Sequence, residues 1–276
     1  KKYSNLLTMS HDIKFLNAFN AIPGVGPATL RLIKMNFATY EEAWRASDTA
    51  LSAINLQPQA YRSLVWKRSS INPDKEMGRL VKENVWVMTE EDPDYPPPLK
   101  EIPTPPMVLY GRGDPALLRG ARTDADRNAS ADRRGQPVLA VVGTRRPTSY
   151  GLEACEALVH EIAALGVTIV SGLAIGIDAR AHAAALDAGG RTIAVLGSGV
   201  DQASIFPPEN RSLARRIVES EGAMISEYSP GTPAVKEHFP QRNRIVSGLA
   251  QGTLIIEARE RSGALITARL ALEQNR

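Results

Sequence analysis

The period of the hydrophobic positions changes along the chain, and the change divides it. From Pro137 onward, short runs of Val, Ile, Leu and Ala recur at near-even intervals: VLAVVG (138–143), VTIVSG (167–172), TIAVLG (192–197), AMISEY (223–228) and TLIIEA (253–258). Between them lie segments with helical apolar spacing near 151–164, 177–188, 209–220, 241–250 and 262–274. Strands that stay apolar without alternating are buried on both faces. Five βα units of this kind therefore predict a parallel sheet with helices on both sides, an α/β fold of Rossmann-like type.

Before Pro137 the pattern differs. IKFLNAFNAI, TLRLIKMNF, EEAWRA, LSAINL and AYRSLVWKRS each read as a short helix, broken by Pro, Gly and Asn. Together they predict a small all-α domain over 1–75, followed by the α/β domain over 76–276. Residues 84–109 carry two short apolar strands around a proline-rich connection, and Pro is confined to sheet edges because it has no N–H to donate, so these are expected as added edge strands. Residues 119–136, RGARTDADRNASADRRGQ, lack large apolar side chains and are expected to form a mobile surface insertion.

Composition narrows the function classes. At 43% hydrophobic, 276 residues can bury a real core, and about 150 residues per domain suggests two domains. The apolar runs fall short of the roughly 18 residues of a membrane span, and no charged-then-apolar leader opens the chain, so a soluble, cytoplasmic protein is expected. A single cysteine, Cys155, excludes an intramolecular disulfide and reads as a small core residue in mid-helix. Four scattered His with no CxxC pair leave no zinc pattern, so no metal is expected. The net charge is +3, but 137–276 carries 14 basic and 14 acidic residues, so any phosphate site has to be a local cluster.

In a sheet of this kind ligands lie beyond the carboxyl ends of the strands. The loops there read GTRRPTSYG (143–151), SGLAIGID (171–178), GSGVDQASIFPPEN (197–210), EYSPGTPAVKEHFPQRNR (227–244) and EARERSG (257–263). Three open on small residues, Gly143 with Thr144, Ser171 with Gly172, and Gly197 with Ser198 and Gly199. Such turns let a phosphate approach the main chain before a helix N-terminus, and each alone is equally a plain βα connection. No GxxxxGK[ST] is present, and Gln202 stands where a dinucleotide fingerprint needs its third glycine, so neither a Walker-type NTPase nor a nicotinamide or flavin cofactor is expected.

Side-chain chemistry concentrates in the fourth loop. Lys236, His238, Phe239, Arg242, Asn243 and Arg244 fall within nine residues, with Arg145 and Arg146 at the first strand end. Cations beside an aromatic suit single-stranded nucleic acid, whose backbone they hold while a ring stacks on an unpaired base. The alternative is structural: arginine is disfavoured at a helix start, so Arg242 and Arg244 pair with acids such as Glu227 and Glu257, or hold an anion. Asp178 and His182, four apart on one helix, are a possible acid/base or metal pair and equally a structural one. AIPGVGPATLRLI (21–33) fits a helix-hairpin-helix turn that aims N–H groups at a DNA phosphate, or is only a tight glycine turn, with Pro27 removing one donor.

Read together, VVGTRRPTSYG, SGLAIGIDARAHAAAL, TIAVLGSGV with the PPEN after it, MISEYSPGT, FPQRNRIVSGLA and IIEARERSGALITARLALE resemble the DprA/Smf family, the DNA-processing proteins of natural transformation, over about 84–276. The resemblance implies an extended Rossmann domain that binds and protects incoming single-stranded DNA and loads RecA onto it, working as a homodimer without known catalysis and with no cofactor. The N-terminal segment is similar to the sterile-alpha-motif-like domain of many members. Carried over, the DNA-contacting residues are Arg145, Lys236, Phe239, Arg242, Asn243 and Arg244, with a phosphate pocket lined by the turns at Gly143–Thr144, Ser171–Gly172 and Gly197–Ser198–Gly199. Thr144 replaces a frequent Ser, and Phe206 stands where Tyr is usual. Many members continue into a C-terminal winged-helix-like domain, and the sequence to Arg276 is expected either to be truncated before it or to lack it. The competing readings are a Rossmann enzyme acting on a nucleotide or phosphorylated sugar, whose PGGxGTxxE stretch is missing here, and a passive nucleotide-binding module.

Overall fold

Six helices come first in the computed structural model of the chain, which describes residues 11–119, 136–260 and 262–276. They are α1 (His11–Asn20), α2 (Pro27–Asn36), α3 (Tyr40–Arg45), α4 (Asp48–Ala53), α5 (Pro58–Lys67) and α6 (Pro73–Lys82). Local chemistry sets their starts. Thr39 accepts from the Glu42 N–H and Ser47 from the Ala50 N–H, while Asn72 accepts from Asp74 and Lys75 with Pro73 following. The first five match the expected helical stretches. The sixth is additional, and it packs closely on α1.

The sheet has seven strands: β1 (Trp86–Thr89), β2 (Val108–Gly113), β3 (Val138–Gly143), β4 (Thr168–Ser171), β5 (Thr192–Leu196), β6 (Ala223–Ser226) and β7 (Gly252–Ile256). Their order is β1-β2-β6-β5-β4-β3-β7. The five βα strands are mutually parallel, and β1 and β2 add an antiparallel extension through Gly111↔Ile225, as the prolines between them foretold. The remaining helices are α7 (Pro97–Lys100), α8 (Ser149–Ala164), α9 (Ile177–Asp187), α10 (Arg211–Glu219), α11 (His238–Leu249) and α12 (Gly263–Glu273).

The chain steps outward from β3 to β6, then returns through α11 to lay β7 on the far side of β3. Right-handed crossovers put α8–α10 on one face and α11–α12 on the other. Packing follows suit: Val141 and Ile169 meet Cys155, Val159 and Ala181, whereas Val142, Ile193 and Val195 meet Ile245, Val246 and Leu249. Cys155 is fully buried, and burial pushes its thiol up to about 11. The helical bundle shares its core with the α10 face, since Phe15, Phe19 and Leu80 cluster with Tyr110, Leu196 and Met224. The Tyr110 hydroxyl, itself buried, donates to Asn17 Oδ1 at 2.9 Å. The insertion expected at 119–136 lies outside the described residues except at its two ends. No described helix is long and apolar enough to cross a membrane.

Candidate functional site

Beyond the carboxyl ends of β3–β6 the loops enclose a cavity of about 250 Å³. Its wall is aromatic and apolar, from Phe239 at the first turn of α11, Phe206 in the loop after β5, and Ile175 in the loop after β4. The two rings sit 5.9 Å apart between centroids at 43°, and the Arg145 guanidinium lies 5.5 Å from the Phe239 centroid. Phe206 is 46% exposed and Ile175 44%, large values for apolar side chains facing a cleft. Arg145, Arg146 and Lys236 are exposed, and among the described residues none has a carboxylate partner. They add exposed positive charge to this face.

Arg242 and Arg244 have other tasks. Arg242 is 4% exposed and forms the floor of the cavity. Its Nη1 donates to the Gly172 carbonyl at 2.5 Å and to the Val195 carbonyl, and its Nε to Asn243 Oδ1 at 3.2 Å. Burial pushes it down to about 10, with Asp178 pulling it back, so it stays charged at neutral pH. Arg244 points away from the cavity. It donates to both Glu227 oxygens at 2.7 and 2.9 Å and to the Thr104 carbonyl at 3.0 Å. Of the two outcomes held open for Arg244, the structure selects the ion pair with Glu227. Asn243, expected at the DNA surface, is engaged by Arg242 and by the Gly263 carbonyl.

The glycine turns expected to line a phosphate pocket are closely approached by other parts of the protein. A side chain at Gly143 would collide with Ile177 and the Ile256 carbonyl, and at Gly172 with the Arg242 guanidinium. At Gly197 it would meet the Phe239 ring at 3.1 Å. The Gly172 and Ala174 N–H groups donate to Asp178 at 3.1 and 3.4 Å, so a carboxylate of the chain already occupies the anion position of that turn. Thr144 N–H goes to the Glu257 carbonyl, Gly199 N–H to the Thr232 carbonyl, Ser171 Oγ to the Val141 carbonyl and Ser198 Oγ to the Gly199 carbonyl. These turns shape the mouth from within.

The acid/base candidates are likewise separated. Asp178 is pushed up by burial and held down by Arg242 and the two N–H groups. His182 is fully buried and turns to Thr192, with Nδ1 2.7 Å from Oγ1. Because that hydroxyl spends its hydrogen on the Ile169 carbonyl, Nδ1 must be the donor, which leaves Nε2 unprotonated. Burial lowers His182 to about 3. Glu257 anchors neither arginine; it accepts from Thr148 N–H and Oγ1 at 2.8 and 3.1 Å before α8. Among the described residues no His, Cys, Asp and Glu cluster could hold a metal.

His182 also sets a pH dependence. Its folded value lies below the ordinary 6.5, so the unfolded chain binds a proton that the folded one refuses between those values. Its contribution is complete above about pH 6.5 and is lost on acidification, by about 1.4 kcal/mol per pH unit. Urea midpoints at pH 7, 6 and 5 are expected to fall more steeply for the wild type than for His182→Gln; parallel declines would remove His182 from that role.

Two features escaped the sequence. Phe206, conspicuous only as a departure at its position, forms the second ring of the wall; an aromatic ahead of Pro207 and Pro208 at a strand end was the available signal. The helical bundle also braces the fourth loop, since Asn20 Nδ2 donates to the Glu227 carbonyl at 2.9 Å and Arg79 Nη1 to the Pro230 carbonyl at 3.0 Å. No local pattern links residues so far apart.

Residues 127–276 match the family model described as DNA recombination-mediator protein A. Protein Smf of Synechocystis is 40% identical over 261 residues, 94% of this chain and 62% of the relative. DNA processing protein DprA of Bacillus subtilis is 43% identical over 182 residues, 66% of this chain and 55% of the relative. The chain thus spans about three fifths of the length of the curated relatives it matches. The crystal structure of DNA processing protein A from Streptococcus pneumoniae superposes with a TM-score of 0.72 at 29% identity, covering 95% of this chain and 84% of that one. The Helicobacter pylori protein, described for its single-stranded DNA binding mode, gives 0.57 at 31% identity, covering 68% and 77%.

Proposed function

The chain belongs to the DNA recombination-mediator protein A family, and from that premise we propose that it is a cytoplasmic, non-enzymatic binder of single-stranded DNA that protects incoming strands and loads RecA onto them as a homodimer. The cavity mouth carries the reading: two rings 5.9 Å apart with Arg145 over one of them, on strand-end loops that also expose Arg146 and Lys236. An unpaired base stacks against Phe239 and Phe206, and the three exposed cations take the flanking phosphates. Arg242 supports the ring wall from below, while Arg244 and Asn243 hold α11. Asp178, His182 and Glu257 are spent on internal hydrogen bonds and none lines the cavity, and Glu209, which does line it, has no His, Cys or second carboxylate among the lining residues, which supports binding without turnover.

Fluorescence anisotropy with a single strand, its duplex and mononucleotides tests this directly. The single strand is expected to bind best, because a paired base cannot reach the rings. Phe239→Ala is expected to cost roughly 1–3 kcal/mol of single-strand affinity. For a strand of about six nucleotides, with three phosphates neutralised at the mouth, log K should fall against log salt with a slope of about −2, and Arg145→Ala should make it shallower by about 0.7. Equal affinity for duplex and single strand, or hydrolysis of a nucleotide by the purified chain, would overturn the reading.

A further inference from the structure

A second aromatic surface lies on the helical bundle. Trp66 on α5 is 81% exposed, the most exposed of the three tryptophans, while Leu64 two positions earlier is fully buried. The outward stripe of this helix runs Gln59, Arg62, Ser63 and Trp66, one turn apart or closer. Lys67 Nζ stands 5.8 Å from the Trp66 ring centroid. A tryptophan so exposed, with Lys67 beside its ring, has no packing role to explain it.

Its surroundings point to a polyanion. No acidic residue occurs between Asp48 and Asp74, and Asp48 is itself bound to Arg68 at 3.0 Å. The turn between α1 and α2 lies alongside, since a methyl group at Gly24 would sit 3.7 Å from the Ser63 hydroxyl. Gly24 takes φ +84°, and no acid falls between Asp12 and Glu41, the span that contains this turn. The N–H groups of Gly24 and Gly26 make no hydrogen bond among the described residues. A ring open on one face, flanking cations and adjacent unbonded N–H groups are complementary to an unpaired base and its phosphates.

We propose that α5 and the 22–26 turn form a second contact for single-stranded DNA, with Trp66 stacking on a base and Arg62, Lys67 and the turn taking phosphates. It rests on the reading of the cavity mouth in one respect, that one strand engages both. The bundle that carries α5 is hydrogen-bonded to the fourth loop through Asn20 and Arg79, which ties the two surfaces into one body.

Tryptophan fluorescence reads the contact. Trp44 is half-buried and Trp86 buried, so quenching by an oligothymidylate of about 20 nucleotides reports chiefly on Trp66, and Trp66→Phe should abolish most of it. Trp66→Ala is expected to weaken binding of that oligonucleotide roughly five- to hundredfold, and to leave a strand of about six nucleotides bound at the mouth unaffected. Being so exposed, the position tolerates both substitutions without loss of fold. The doubly substituted Arg145→Ala, Phe239→Ala protein should lose the short strand yet still show quenching at higher concentrations of the long one.

Unchanged long-strand affinity in Trp66→Ala, or quenching that survives Trp66→Phe, overturns this second contact and leaves the mouth intact. Quenching that never returns in the doubly substituted protein overturns it as well. Failure of the wild type to bind the short strand, with Trp66 still quenched by the long one, overturns the mouth and upholds this surface.

Discussion

Replacing Arg242 with methionine is expected to cost about 3–5 kcal/mol of folding stability, the range for removing one partner of a buried charge pair. Methionine keeps much of the apolar stem but abandons the carbonyls of Gly172 and Val195, two adjacent strand ends that the guanidinium ties together. It also leaves Asp178 without the cation that offsets its burial. Pairing it with Asp178→Asn should recover part of the loss, because a neutral amide no longer needs a countercharge. Urea unfolding of the two single variants and the double variant measures this coupling. A loss below about 1 kcal/mol for Arg242→Met, or strictly additive variants, would mean that solvent reaches the guanidinium and that it is not a pillar of the mouth. Single-strand affinity should drop in the same variant through displacement of Phe239, one turn away on α11.

That Arg242 is buried and Arg145 free was not written in their neighbours along the chain. Both follow strand-end patterns rich in cations, and their difference depends on where α11 lies over the sheet. The strands themselves were readable because Val138–Gly143 and Thr192–Leu196 need no partner to betray burial on both faces. α6 was not, because Leu80 is its only buried side chain in a helix otherwise rich in charge. The glycine turns are ambiguous for a related reason. A missing Cβ signals that something approaches the main chain without saying whether it is a phosphate or another part of the chain. At Gly143, Gly172 and Gly197 the approaching groups are Ile177, Arg242 and Phe239, lying 34 to 70 residues further along. Cation and aromatic content pointed to the loops that meet around the cavity; the allocation of each cation needed the third dimension.

Arg244 carries the other large effect, and its pH dependence separates structure from DNA contact. Glu227 is 7% exposed at its side chain, with burial raising its carboxyl and Arg244 lowering it. Arg244→Ala strands that carboxylate and should cost about 3–5 kcal/mol near neutral pH. In the variant the folded value rises further above the unfolded one. A group raised in this direction is neutral and well tolerated below its unfolded value, and destabilises as pH climbs through the folded one. The deficit relative to wild type should therefore be greatest at neutral pH and shrink on acidification toward pH 5, the reverse of the trend that His182 imposes on the wild type. Glu227→Gln, which keeps one acceptor for the guanidinium and removes the charge, should be milder and independent of pH over that interval. Salt titrations supply the second test. Arg145→Ala removes a phosphate contact and flattens the slope of log K against log salt, whereas Arg244→Ala, compared at equal fraction folded, should leave the slope unchanged. A slope shallower by about 0.7 in Arg244→Ala would return this arginine to the DNA surface.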